Sequence, residues 1–332
     1  MNIILKAAAV LVGFLSLSSL GGYVYFRQRF QPPPNQLVVP RLPIACTFEW
    51  VANETTQPAV PHIALLLPVT VAGCPRTCYL QFDTGAPTSA LHSRSVAALH
   101  ARYPGTATTL ALQGDTVHEA RFTLGTGQLQ VRRLRVLVGG AAAVPADSTT
   151  PFVIGTLGSD VLDGRVLVLD YVRRRFSLYA QVPDSLARKA VFAPLSYANR
   201  RLLISAGLQG QPEQLLFDTG TSAFGLITSQ PVWQQLARPA APAQVGHSKA
   251  MGRKITTYTV ATDATMRLGA ANVPLRTVTY MEGVSPTQNL LLRFSGLGGM
   301  LGNAPFETQT IIVDTPSKRF GLLPGQAVAP NP

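Results

Sequence analysis

Two acids in this 332-residue chain stand in the same short phrase. Asp83 lies in YLQFDTGAPTSAL, residues 79–91, and Asp218 in LLFDTGTSAFGL, residues 215–226. Carboxylates brought to one site cannot comfortably both ionise. Such a pair shares one proton, the protonated member serving as acid and the ionised one as base. It can take a proton from water and polarise a carbonyl without a metal or a covalent nucleophile. A single Asp in such a triplet would be an ordinary turn acid bonded to nearby backbone N–H groups. Two copies with matching flanks argue against that reading.

The same phrases carry the elements that must position the acids. Leu80, Phe82, Leu216 and Phe217 are apolar strand residues expected in the interior, so each acid is delivered at the end of a rigid buried element. Gly85 and Gly220 let the backbone turn sharply after Asp-Thr. The repeat continues downstream. FTLGTGQLQVRRLRV, residues 122–136, lies over MRLGAANVPLRTVTY, residues 266–280, without a gap. LGSDVLDGRVLVLDYVRRRFSL from Leu157 lies over LGNAPFETQTIIVDTPSKRFGL from Leu301. Both alignments have an offset of 144 (269 − 125; 302 − 158), against 135 between the acids (218 − 83), so the second copy holds nine extra residues after its acid. An insertion of that kind is expected in a loop.

A strand ending in Asp-Thr-Gly, a middle hairpin, a Leu-Gly step and an apolar strand ending D-x-x-x-x-R-F, all present twice over about residues 60–325, resemble the pepsin and retropepsin group of aspartic proteases. The resemblance implies an all-β, two-lobed pepsin-like fold, each lobe a retropepsin-like β-barrel unit. It implies an aspartic endopeptidase that hydrolyses peptide bonds with water activated between Asp83 and Asp218, without cofactor or metal. Thr84 and Thr219 would lock the two active loops together, with the turns at Gly158 and Gly302 beneath them. Thr84, Gly85, Thr219, Gly220 and Thr221 form the expected active-loop support. The partner would be a peptide or protein substrate, and the chain a monomer because both lobes are in it. The hairpin around residues 110–123 lacks the Tyr that pepsin-like flaps usually carry. A second reading, from another class, is a protease fold that no longer cleaves and serves as a peptide-binding or assembly module at the membrane. The two intact acids speak against it.

One asymmetry bears on pH. Thr221 follows the second triplet and Ala86 the first, and a hydroxyl donating to its carboxylate would favour the ionised form. With only one such hydroxyl the dyad should ionise less readily, giving an optimum in the mildly acidic to near-neutral range. Ala86→Ser should then move the acidic limb downward.

The rest of the chain sets the context. Residues 7–26 are an uncharged run of twenty, so residues 1–26 are expected to be a transmembrane anchor or a signal peptide. Residues 27–60 are expected to be a Pro-rich linker and first strand, with 31–43 a stiff spacer, followed by lobes at 61–183 and 184–325. Helix is expected only at 93–103 and 229–236. Cys74 and Cys78 flank a hairpin tip where a disulfide would fit, which would put the body outside the cytoplasm, in the periplasm or at the cell surface. Cys46 lacks an evident partner. The formal charge of +12 comes with no zinc-finger or aromatic nucleic-acid motif, so Arg132, Arg133, Arg135 and Arg173 to Arg175 are expected on solvated sheet edges and nucleic acid is not an expected partner. Asp170 and Asp314 are read as structural turn acids paired with Arg175 and Arg319. The five histidines show no metal-ligand spacing.

Overall fold

A computed structural model describes residues 31–54, 59–250, 253–283 and 297–323, and the chain divides into units of residues 1–34 and 35–332. The helix expected over residues 1–26 falls outside the described residues. Among those described, no helix is long and apolar enough to cross a membrane.

The body is mostly strand, in a nine-stranded and a fifteen-stranded sheet. Each acid is delivered by the same arrangement. In the first half the strand Cys78–Asp83 runs antiparallel to Val60–Val71 and parallel to Val153–Gly158, with Gly158 opposite Asp83. In the second half Gln211–Phe217 runs antiparallel to Arg201–Leu208 and parallel to Leu297–Leu301, with Leu301 opposite Phe217. The short strand after each active loop, Ala90–His92 or Leu226–Ile227, is antiparallel to one neighbour and parallel to the next. Alternation explains these strands: Cys78, Leu80 and Phe82 are buried on one face of the first, and Leu215 and Phe217 on one face of the second. Leu216, expected inside, points the other way and is only partly buried.

The residue before each acid is tied to the strand that follows the Leu-Gly turn. Phe82 meets Phe176 edge-on with centroids 5.2 Å apart, and Phe217 meets Phe320 at 5.6 Å. All four rings are buried. Burying each ring stabilises the fold by about 1.5–3 kcal/mol, and each edge-on pair adds about 0.5–1.5 kcal/mol. The two R-F strands belong to hairpins, Val166–Asp170 with Arg175–Tyr179 and Thr310–Asp314 with Arg319–Leu323. These hairpins pair with each other, Val168 opposite Ile312, and Ile44–Thr47 and Val191–Ala198 extend the ladder on either side.

Several expectations need correction. The spacer expected at residues 31–43 is shorter, because Leu37–Val38 pairs with Gly127–Leu137 and buries Leu37. Glu49–Asn53 is a strand on Val60–Val71, as the first strand expected within residues 27–60 requires. The helices Ser93–Arg102 and Gln230–Leu236 match the sequence reading, while Thr106–Thr109 and Asp184–Ala187 are short additions. The nine extra residues do not lengthen a loop. They extend a hairpin, Gln244–Ala250 with Arg253–Ala261, where the first half has only Leu112–Gln113 against the start of Thr116–Leu124. Asp314 pairs with Arg319 at 2.7 Å, but Asp170 pairs with Arg173 at 2.9 Å rather than Arg175; both acids accept the N–H three residues on, and that residue is an arginine in the first copy and Ser317 in the second.

Candidate active site

The two Asp-Thr-Gly loops meet at the ends of their strands and hold each other through threonine. Thr84 Oγ1 donates to the Phe217 carbonyl at 2.9 Å and accepts from the Thr219 N–H at 3.0 Å. Thr219 does the reverse, donating to the Phe82 carbonyl at 2.9 Å and accepting from the Thr84 N–H at 3.0 Å. Both side chains are buried, at 1% and 0% exposure, so four bonds stand where water cannot replace them. A hydroxyl is needed because only it donates and accepts at once.

This lock brings the acids together. Each carboxyl sits against the other half's active-loop glycine, close enough that the charge of Asp83 bears on Asp218. Asp83 Oδ1 accepts the N–H groups of Gly85 at 2.9 Å and Ala86 at 3.2 Å, and Asp218 Oδ1 that of Gly220 at 2.8 Å. Asp218 is pushed up to about 7, first by burial and then by the charge of Asp83, against the opposing pull of the Gly220 N–H. It is 8% exposed, whereas Asp83 is only partly buried.

The glycines have a different reason from the one the sequence suggested. Neither lies in the left-handed region. A Cβ on Gly85 would stand 2.6 Å from the Asp218 carboxyl carbon and oxygens, and one on Gly220 would stand 2.5 Å from Asp83 Oδ1. Each glycine is the space in which the other half's acid sits. Gly85→Ala or Gly220→Ala should therefore push the carboxyls apart and lower activity about a hundredfold. The Asp218 titration should fall toward the ordinary range. A variant that kept the raised titration by carbon-13 NMR would show that the space is not needed.

Thr221 does not act as expected. Its hydroxyl donates to the Asp218 backbone carbonyl at 2.9 Å rather than to the carboxylate, because the short turn after Asp218 places that carbonyl beside it. The donors to the carboxylates are backbone N–H groups. Ala86→Ser is thus expected to leave the acidic limb in place, contrary to the reading from sequence.

Behind each loop lies a buttress that the sequence did not reveal. In the second half Asn303 Nδ2 donates to Ser222 Oγ at 2.7 Å, and Asn303 Oδ1 accepts from Tyr171 OH at 2.8 Å. In the first half Asp160, pushed up by burial, accepts from the Ser89 N–H at 2.8 Å and is bonded to Ser89 Oγ at 2.6 Å. A Cβ on Gly158 would meet the Ala86 carbonyl, and the Ser159 N–H donates to that carbonyl at 2.8 Å. The available signal was the place just after each Leu-Gly step, Asn303 directly after Gly302 and Asp160 two residues after Gly158.

Cys74 and Cys78 do come together, but as buried thiols with sulfurs 4.0 Å apart instead of the expected bridge. The Cys74 thiol donates to the Arg76 carbonyl at 3.3 Å, and Cys78 is pushed up to about 12, chiefly by burial. Among the described residues no group of His, Cys, Asp and Glu could hold a metal ion. His62 is bonded to Glu307 at 2.9 Å, away from the acid pair in sequence and partners. Comparison with known protein families and with curated proteins finds no match for the chain.

Proposed function

We propose that the chain is an aspartic endopeptidase of the pepsin and retropepsin type, with Asp83 and Asp218 as its dyad and two lobes in one monomeric chain. The observation that carries this reading is the pair of carboxyls, each packed against the other half's glycine, beside the reciprocal threonine lock. Two acids so joined, one buried and one more open, are unequal in the way that acid and base roles require. Asp218, protonated, donates to the scissile carbonyl oxygen. Asp83 takes a proton from water as the water oxygen bonds to the carbonyl carbon. Collapse of the tetrahedral intermediate breaks the C–N bond, the departing nitrogen receives the proton from Asp83, and Asp218 recovers its own. The extracytoplasmic placement and the membrane anchor expected from residues 1–26 belong to the same proposal.

A peptide-library digest with and without a statine-type inhibitor tests the reading. Cleavage that the inhibitor abolishes is the expected result, and inhibitor binding without cleavage of any peptide would instead support a peptide-binding module. The pH profile adds a sign. Asp218 must be protonated to donate, so kcat/KM should fall as pH rises through about 7. Full activity two units above that value would exclude Asp218 as the acid.

A further inference from the structure

We propose that Tyr197 and Arg200, at the tip of a second-half hairpin, are positioning residues for Asp83. The inference rests on the reading of Asp83 and Asp218 as a dyad. Its basis is a set of bonds that cross from one half of the chain to the other. Val191–Ala198 and Arg201–Leu208 form a hairpin whose turn residues, Asn199 and Arg200, both have left-handed backbones, with φ of 53° and 60°. That tight turn directs Arg200 away from its own sheet and into the first half. Its side chain is only 8% exposed. Nη2 reaches Asp163 Oδ2 at 2.9 Å, Nε lies 3.1–3.2 Å from the two carboxylate oxygens, and Nη1 reaches the Pro87 carbonyl at 3.4 Å.

Tyr197 works on the same turn. Its hydroxyl lies 2.6 Å from the Ser159 carbonyl and 2.8 Å from Asp163 Oδ1. Ser159 closes the circuit, its hydroxyl donating to the Arg200 carbonyl at 2.6 Å while its N–H holds the Ala86 carbonyl at 2.8 Å. Ala86 and Pro87 are the third and fourth residues after Asp83, and the Ala86 N–H is itself a donor to that acid. The path from the second-half hairpin to the carboxylate is therefore short and made of directional bonds.

The chemistry of the brace explains why it would hold position rather than merely add contact. A buried guanidinium is costly unless paired, so the hairpin can settle only with Asp163 within its fork, which fixes direction as well as distance. The buttress of the second loop, Tyr171 to Asn303 to Ser222, has no charge in it. Among the described residues, the brace of the first loop includes an ion pair whose guanidinium comes from the other half.

The test uses the full chain carrying Arg200→Met, Tyr197→Phe or Arg200→Lys, read in two ways. Carbon-13 NMR of aspartate-labelled protein follows the dyad titration, and steady-state kinetics follow a peptide that the wild type cleaves. Arg200→Met and Tyr197→Phe should lower kcat about tenfold or more with KM nearly unchanged, because misplacement of a catalytic group by a fraction of its bond length is felt in the chemical step. The raised dyad titration should move toward the ordinary Asp range, and Arg200→Lys should recover part of both effects. Tyr197→Phe, which removes one oxygen, serves if Arg200→Met does not fold. Folded variants with wild-type kcat and wild-type titration, whatever their melting temperature, would overturn the inference. A wild type that shows the raised titration but cleaves nothing would sink the endopeptidase reading alone, with the titration still deciding this one. A wild type without a raised carboxyl would overturn both.

Discussion

Asp218→Asn should lower peptide cleavage by at least about a thousandfold while leaving the chain folded and less sensitive to alkaline pH. The loss follows from the role: an amide of the same size cannot give up the proton that a carbonyl oxygen needs, and general acid–base catalysis contributes on the order of 10²–10⁴ in rate. Asp83→Asn should cost as much, by removing the base. The stability effect has the opposite sign. Asp218 is raised from 3.8 to about 7 in the fold, so the folded chain holds a proton that the unfolded chain has lost. The stabilisation associated with that proton is fully present below the unfolded value and is lost as pH rises through the folded one. It amounts to about 4 kcal/mol between those limits as an order of magnitude. Asn does not titrate, so unfolding curves of the variant should lack this decline. A wild-type and an Asp218→Asn protein with parallel pH–stability curves would refute the buried, shared proton, and a variant retaining a tenth of its activity would refute the catalytic role.

Thr219→Val should be the most damaging substitution of nearly constant shape in the centre of the molecule. Valine fills the same space, so no cavity enters the account. What is lost is the bond to the Phe82 carbonyl and the acceptor for the Thr84 N–H, both at a position with no exposure to water. Two orphaned backbone groups at about 1–3 kcal/mol each imply a cost of roughly 2–6 kcal/mol. That is a large share of the 5–15 kcal/mol by which domains are commonly stable. Thr84→Val should match it, since its bonds mirror those of Thr219. The urea midpoint should drop with an unchanged slope, and activity should fall with it. A loss under half a kcal/mol would mean that the lock contributes nothing.

The acid pair and the repeat were legible because each leaves a local trace. Asp-Thr-Gly recurs within a few residues of apolar strand, and the constant offset of 144 places Gly125 and Gly269 at the turns of matching hairpins and Phe176 and Phe320 on matching strands. What stayed hidden is what joins segments far apart. Tyr197 and Arg200 belong to no motif in the sequence, and their partner Asp163 lies more than thirty residues earlier in a turn. No periodicity marks such a bond. Thr221 misled for a related reason: its type was right for helping a carboxylate, but a hydroxyl chooses among nearby acceptors by backbone geometry that spacing does not carry. The glycines are legible as necessary, yet the necessity lies in the opposite acid, 133 positions from Gly85 (218 − 85) and 137 from Gly220 (220 − 83), and not in the local turn.

The ladder that joins the two halves has a consequence for synthesis. Val166–Asp170 finds its partner in Thr310–Asp314, and that strand is in turn covered by Arg319–Leu323. Closing so long a segment is entropically costly and slow, and native contacts of that range form late. On the ribosome the first acid therefore emerges with its own strands long before the second half can dock. During that interval a nascent chain carries Asp83 without Asp218 beside it, and Pro87 without the guanidinium that reaches it. The two acids stand together only once the second half has docked, so on the proposed reading the dyad is completed after the later strands are made.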